Sequence, residues 1–348
     1  MKTLSPDELF MQRALDLAQL SRGSISPNPM VGCVIVYNNT IIGEGRHEKF
    51  GEAHAEVNAV ASVNDQSLLK ESTIYVNLEP CSHFGKTPPC ADMLIKHQVK
   101  KVVIANTDPN PLVSGQGIQK LKAAGIDVVI GVLKAKGREL NKRFFTFMEK
   151  KRPYIILKWA ETADGFIARE NFDSKWISNE QSRKLVHKWR SEEDAILVGT
   201  VTAEHDNPSL TVRDWLGRNP IRIVIDRHAR LPKDLNVFDG SHQTLCYTTR
   251  KESIEKNLTF IKLSENKFKQ ELLNDLYTRK IQSIIIEGGA TTLQQFINAG
   301  LWDEARVFTS DQEFGSGISA PQFHGNLIAH ESVLNDTLTF YSAYHENR

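Results

Sequence analysis

His54-Ala55-Glu56, followed downstream by Pro80-Cys81-Ser82-His83-Phe84-Gly85-Lys86-Thr87-Pro88-Pro89-Cys90, decides the reading of this chain. His54, Cys81 and Cys90 supply one imidazole and two thiolates. That set leaves the fourth position of a tetrahedral zinc open to water, the pattern of a catalytic rather than a structural site. Glu56 lies beside the metal but is surplus to its coordination. A carboxylate there can take a proton from an activated water and hand it to a leaving amine. The competing reading is a closed structural zinc site or two unrelated buried cysteines. A closed site wants a fourth ligand, which His83 could supply; its position inside the insert assigns it instead to a substrate pocket.

Composition narrows the partners. The chain has 348 residues, a formal net charge of +1 and Lys+Arg 43 against Asp+Glu 42. The length suits two domains, each large enough for its own core. A near-neutral balance argues against a basic groove for polynucleotides and favours a small, free substrate. Of the four cysteines, Cys33 and Cys246 sit in apolar, strand-like runs and read as buried thiols. No disulfide framework is implied, which fits a reducing cytoplasm. The opening Met1-Lys2-Thr3-Leu4-Ser5-Pro6-Asp7-Glu8 lacks the apolar core of a secretory signal. No apolar run approaches the roughly 18 residues of a membrane span.

Around the motif the pattern alternates between strand and helix. Ser5-Pro6-Asp7-Glu8 reads as a helix start, with an apolar stripe at Phe10, Ala14, Leu17 and Ala18. Residues 31–37 and 40–45 read as strands joined at Asn38-Asn39. Residues 54–62 read as a helix carrying His54 and Glu56 in its first turn. Residues 72–78 read as a strand, and a second helix starts near Pro89 and carries Cys90. The metal then lies between two helix starts, whose positive dipole ends favour negative charge. Strands at 99–106 and 126–131 and a helix at 116–124 extend the alternation to about residue 146, a three-layer α/β/α domain. The charged run Glu149-Lys150-Lys151-Arg152-Pro153 marks a linker over residues 147–153.

The second half, residues 154–348, restarts with the strand Tyr154–Ala160 and a turn at Glu161–Gly165. Ser174-Lys175-Trp176-Ile177-Ser178, a helix from Asn179 to Trp189 and buried strands at 195–199, 221–226, 243–248 and 283–287 follow. The last strand runs into Gly288-Gly289-Ala290-Thr291-Thr292-Leu293, a glycine turn and helix start whose backbone N–H groups can hold a phosphate. Taken alone, that turn also suits simple packing.

Four N-terminal motifs occur in order: Ser26-Pro27-Asn28-Pro29-Met30-Val31-Gly32-Cys33, the His54/Glu56 pair, the Cys81–Cys90 segment and Asp108-Pro109-Asn110-Pro111. Most zinc-dependent nucleobase deaminases separate their two cysteines by two residues; here the insert is Ser-His-Phe-Gly-Lys-Thr-Pro-Pro. With these motifs the first half resembles the deaminase half of the bifunctional riboflavin-biosynthesis deaminase–reductases. Lys158–Gly165, Ser174–Ser178, Asp206–Arg213 and the Glu287-Gly288-Gly289 turn resemble the reductase half of the same family. The resemblance implies a cytidine-deaminase-like α/β domain followed by a dihydrofolate-reductase-like α/β domain, using one catalytic Zn2+ and NADPH.

It further implies deaminase-substrate contacts from Asn28, His83, Lys86, Thr87, Asp108 and Asn110. Lys158, Ser174, Arg190, Leu210, Arg213 and Glu287 are implied on the reductase substrate. Glu161, Trp176, Thr202, Asp206, Arg227, Gly288, Gly289, Ala290, Thr291, Thr292 and Leu293 are implied on NADPH. Arg190 and Arg213 suit a phosphate, since guanidinium forks match its oxygens. The substrate implied is a small phosphoribosyl-pyrimidine, with no nucleic acid or membrane partner, and the assembly a homo-oligomer, dimer or tetramer. The chain departs from the family at Thr162, where serine is usual, and over Thr309–Gly317, where a P-K-x-x-G segment is usual. The alternative is a zinc deaminase of another nucleotide or nucleic acid with a binding-only second domain.

Overall fold

A computed structural model describes residues 4–83, 88–110 and 114–344. The chain divides into two compact units, Met1–Lys151 and Arg152–Arg348.

In the first unit a capping box starts helix α1 (Pro6–Gln19): the Ser5 hydroxyl accepts from the Glu8 N–H, and the Glu8 carboxylate accepts from the Ser5 N–H. Strands β1 (Gly32–Tyr37) and β2 (Thr40–Arg46) form a hairpin whose turn holds Asn38 and Asn39 at φ +48° and +60°, as a two-residue turn of the favoured hand requires. Helix α2 (Ala55–Ala61), β3 (Thr73–Leu78), α3 (Cys90–Lys96), β4 (Lys101–Asn106), α4 (Gln116–Ala123), β5 (Asp127–Ile130), α5 (Lys134–Leu140) and α6 (Lys142–Lys150) complete it. The sheet order is β2-β1-β3-β4-β5, antiparallel across β1 and parallel from β3 onward.

Alternate residues of β1 serve opposite faces. Cys33 and Ile35 pack with Ala55, Ala59, Leu94 and Leu121 of α2, α3 and α4. Val34 and Val36 pack with Met11, Ala14 and Leu15 of α1. This period of two along a doubly covered sheet makes the three layers. Residues 147–150, read from sequence as linker, belong instead to α6. Its apolar positions pack inward, Phe147 among them, and Lys151 at φ +54° ends the helix.

The second unit contains β6 (Tyr154–Glu161), β7 (Phe166–Ala168), α7 (Glu180–Glu192), β8 (Ala195–Gly199), α8 (Thr200–Asp206), β9 (Ile221–Ile225), β10 (Thr244–Thr248), β11 (Ser253–Glu255), β12 (Leu258–Lys262), α9 (Phe268–Thr278), β13 (Ser283–Gly288), α10 (Ala290–Asn298), β14 (Glu304–Thr309), β15 (Ile318–Ser319), β16 (Gly325–Val333) and β17 (Asp336–Ala343). Ten of these strands form one sheet, in the order β11-β12-β10-β9-β8-β13-β6-β14-β17-β16, and β15 pairs with β7. The core from β12 to β14 is parallel; the edge pairs β11–β12, β14–β17 and β17–β16 are antiparallel.

The central strands β8, β13 and β6 are almost wholly apolar, as burial on both faces demands. Ile284 and Ile286 face the cluster with Leu272, Leu276, Leu293 and Phe296, while Ile285 faces Val186 and Trp189 of α7. The carboxyl ends of β8 and β13 run directly into α8 and α10. This crevice, outside the strand ends, is where open α/β sheets place their ligands.

Candidate active sites

In the first unit, His54 is the N-cap of α2, Glu56 stands in that helix's first turn, and Cys90 opens α3. Cys81 reaches the same point from the loop after β3. Nδ1 of His54 lies 3.6 Å from Sγ of Cys81 and 3.3 Å from Sγ of Cys90. Zn–S bonds of about 2.3 Å and Zn–N bonds of about 2.0–2.1 Å in a tetrahedron put sulfur and nitrogen roughly 3.5 Å apart. The spacing therefore fits the ion. The backbone N–H of Cys90 also donates to Sγ of Cys81 at 3.3 Å. Hydrogen bonds from the Cys90 thiol and from His54 pull the Cys81 thiol below its ordinary range, against its burial, so Cys81 is the readier thiolate.

Glu56 is 3% exposed. Burial, then the negative charge of Cys81, pushes its carboxyl up to about 7, while His54 pulls the other way. A carboxyl poised there accepts and returns a proton near neutral pH.

The surrounding wall combines residues from distant segments. Asp108 is nearly buried; burial and the neighbouring Glu79 charge raise its carboxyl to about 6, and His83 opposes the shift. Its Oδ1 accepts from the Asn110 N–H at 2.8 Å. Asn28 donates from Nδ2 to Nε2 of His47 at 3.0 Å, and His47 donates from Nδ1 to the Ala53 carbonyl at 3.0 Å. The His47 ring lies 5.5 Å from that of His54, edge to face. His47 carries no sequence signal: it follows β2 outside any motif, and only the hairpin fold brings it beside Asn28 and His54. His83 is exposed. Lys86 and Thr87 lie outside the described residues.

The second unit holds a cavity of about 720 Å³ at the strand ends. Lys158, Ser174, Arg190, Leu210, Arg213 and Glu287 line it, as do Trp176, Thr202, Asp206, Arg227 and the Gly288–Leu293 turn. The cavity wall is tight here: a β-carbon on Gly199 would stand 2.2 Å from Oγ1 of Thr292, and Gly288 adopts φ +144°, a conformation that favours glycine. Oγ of Ser174 donates to both carboxylate oxygens of Asp206, at 3.2 and 3.1 Å. Trp176 is 69% exposed, with Arg183 4.6 Å over its ring. Lys158 is half-buried; desolvation lowers its ammonium pKa, Glu287 opposing and Arg190 reinforcing the shift.

Two residues expected on ligands also make pairings within the chain. Arg190, expected on a phosphate, gives its fork to Glu287 at 2.9 and 2.6 Å and its remaining nitrogen to the Thr211 carbonyl at 3.2 Å. A buried guanidinium beside a buried carboxylate is satisfied by that pairing. Glu161, expected on NADPH, is not among the residues lining the cavity. Its carboxylate accepts from Nε1 of Trp159 at 2.7 Å and from Oγ1 of Thr309 at 3.4 Å. In the Thr309–Gly317 segment, Gln312 donates from Nε2 to the Trp176 carbonyl at 2.9 Å, and its own carbonyl accepts from Ala163 at 2.8 Å. Sequence gave no signal for the stacked pair Phe172 and His205, with ring centroids 4.4 Å apart, which also lines the cavity.

The two units define a class: a zinc-dependent, cytidine-deaminase-like unit followed in one chain by an NADPH-dependent, dihydrofolate-reductase-like reductase unit. Residues 4–106 match the family described as cytidine and deoxycytidylate deaminase zinc-binding region, and residues 153–330 match the RibD C-terminal domain. The chain is 41% identical to the riboflavin biosynthesis protein RibD of Aquifex aeolicus, over 90% of this chain and 89% of that one. It is 39% identical to the Escherichia coli RibD, over 89% of each. A Thermotoga maritima crystal structure of a diaminohydroxyphosphoribosylaminopyrimidine deaminase/5-amino-6-(5-phosphoribosylamino)uracil reductase superposes with a TM-score of 0.90 at 37% identity, covering 97% of this chain and 99% of that one. The chain belongs to the RibD family of bifunctional riboflavin-biosynthesis enzymes, hydrolytic deaminase and reductase in one polypeptide.

Proposed function

We propose that the first unit removes the C2 amino group of 2,5-diamino-6-(5-phosphoribosylamino)pyrimidin-4-one as ammonia. The second unit then reduces the ribosyl side chain of that product to ribityl, giving 5-amino-6-(5-phosphoribitylamino)uracil. The observation that carries this reading is the pairing of a three-ligand His/Cys/Cys site beside Glu56 with a glycine-turn cavity in one chain. When bound to His54, Cys81 and Cys90, zinc supplies Lewis-acid activation of a water. Glu56 takes the water's proton and returns it to the leaving nitrogen. Asn28 and the Asp108–Asn110 turn bind the phosphoribosyl-pyrimidine, with His83, Lys86 and Thr87 contributing from the insert.

NADPH supplies the hydride for the second reaction. Trp176, Thr202, Asp206, Arg227 and the 288–293 turn hold the cofactor. Arg213 binds the substrate phosphate, and Ser174 and Leu210 complete the substrate side. Lys158 and Glu287 face the sugar and supply hydrogen bonds there, with Arg190 keeping Glu287 oriented.

The two activities divide near residues 147–153. The free thiols fit the cytoplasm, and no described helix is long and apolar enough to cross a membrane. The assembly is a homo-oligomer: edge strand β16 is nine residues long and exposes Leu327 and Ile328, an apolar edge open to a second copy. The test is purified protein with the diaminopyrimidine phosphate, following ammonia and NADPH absorbance together. NADPH oxidation that depends on prior deamination supports the reading. Ammonia release without any NADPH oxidation supports the binding-only alternative for the second unit.

A further inference from the structure

Glu79 stands two residues before the ligand Cys81 and is 4% exposed. Its carboxylate is engaged by three backbone donors from one later segment. Oε2 accepts from the Asp108 N–H at 3.2 Å and from the Gly115 N–H at 3.0 Å, and Oε1 accepts from the Ile118 N–H at 3.2 Å. The Glu79 N–H donates to the Asn106 carbonyl at 2.9 Å. One side chain therefore ties down both ends of the connection between β4 and α4. Between those ties the Asn110 N–H donates to Asp108 Oδ1, and the Ser114 N–H donates to the Asn110 carbonyl at 2.8 Å. The packing is close at the same point: a β-carbon on Gly117 would stand 2.1 Å from the Pro80 carbonyl oxygen and 3.3 Å from Oε1 of Glu79. The first turn of α4 thus rests on Glu79-Pro80, the dipeptide that delivers Cys81. A charged acceptor serving several N–H groups holds them more firmly than neutral acceptors do.

We propose that Glu79 is a positioning residue of the deaminase site: it fixes the Asp108–Asn110 turn relative to Cys81 and so sets the affinity for substrate. The proposal rests on the reading above that Asp108 and Asn110 contact the substrate.

The test uses the zinc-loaded full chain carrying Glu79→Gln, which keeps the side chain's length but turns an NH2 group toward an N–H donor. Deaminase KM should rise about tenfold or more. The kcat should stay within about threefold, because proton transfer and metal are untouched. Zinc content and reductase activity should be unchanged. Asn110→Ala alone should also raise KM, and adding Glu79→Gln to it should raise KM little further, since both act through one turn. An unchanged KM in Glu79→Gln overturns the proposal. So do fully additive losses, or a fall in kcat and zinc content together. If Asn110→Ala leaves KM unchanged, the reading of the turn itself fails, visibly and apart from the Glu79 result. Should the Gln protein not fold, Glu79→Asp carries the same test with the charge kept and the reach shortened. Failure of both to fold makes the role structural and overturns the proposal.

Discussion

At the scale of single residues, Glu56 is the one whose environment and proposed task agree most directly. Burial raises its carboxyl to about 7, and the adjoining helix cap is the candidate metal ligand His54. Glu56→Gln keeps the shape and removes the proton carrier. Deamination should fall by roughly 10²–10⁴-fold or more, the usual worth of general acid–base help. Zinc content by atomic absorption and NADPH oxidation with the deaminated substrate should be unchanged. Loss of zinc would make Glu56 a structural support of the ligand set, and activity within a few-fold of the parent would remove it from the chemistry. Arg190 and Glu287 carry the opposite lesson. Each reads from sequence as a separate ligand contact, yet a bidentate pairing holds the guanidinium to the carboxylate, so the two line the cavity as a pair.

At the scale of elements, two local arrangements invite tests. Strand β1 passes so close to α1 that a β-carbon on Gly32 would stand 2.1 Å from the Ala14 carbonyl oxygen and 2.9 Å from the Ala18 nitrogen. Backbone atoms cannot rotate aside, so Gly32→Ala must push helix from strand. The expected loss is about 1–3 kcal/mol of stability, the usual cost of overpacking, read as a lower urea midpoint at unchanged m-value. An unchanged midpoint would mean the two elements slide apart freely. The other arrangement is the irregular segment 207–213, held open by Asn207 at φ +41° and Leu210 at φ +55°. The Arg213 N–H donates to Nδ1 of His187 at 3.2 Å, which anchors the backbone while the exposed side chain borders the cavity. Arg213→Ala should lower reductase kcat/KM roughly ten- to a hundredfold on the phosphorylated substrate, the worth of one charge-assisted contact. The dephosphorylated substrate should be nearly indifferent, and NADPH affinity and deamination unaltered. Equal losses on both substrates would make Arg213 a structural or cofactor residue.

At the scale of the whole molecule, the division after Lys151 predicts separable activities. The three candidate zinc ligands all precede residue 151, and the cavity-lining residues all follow it. Each unit has its own sheet and its own buried clusters. Expressed as residues 1–151, the first unit should retain zinc and release ammonia from the diaminopyrimidine. Expressed as residues 152–348, the second should bind NADPH, with quenching of the exposed Trp176 as the readout. A chelator should abolish the activity of the first fragment and spare the second. Two insoluble fragments, each rescued by co-expression with the other, would show that the units depend on one another to fold.

The residues that must bind a metal or take a sharp turn were legible from sequence because their chemistry is local. A thiol, an imidazole, a capping box or an Asn-Asn hairpin declares itself by residue type and spacing, and the alternation of short apolar runs with helical stripes declared both α/β layers. The edge strands β11 and β16 were far less legible than the central ones. Strand β16 is exposed along most of its length and β11 spans three residues, so neither carries a periodic burial signal. The partners of Arg190, Glu161 and His47 also had to wait for the fold. A buried charge or an imidazole takes the partner that tertiary packing brings within reach: Glu287 lies 97 positions from Arg190, and Thr309 lies 148 from Glu161. Pairings over such separations are decided by which strands become neighbours in the sheet, and that depends on the summed burial of whole elements rather than on any motif.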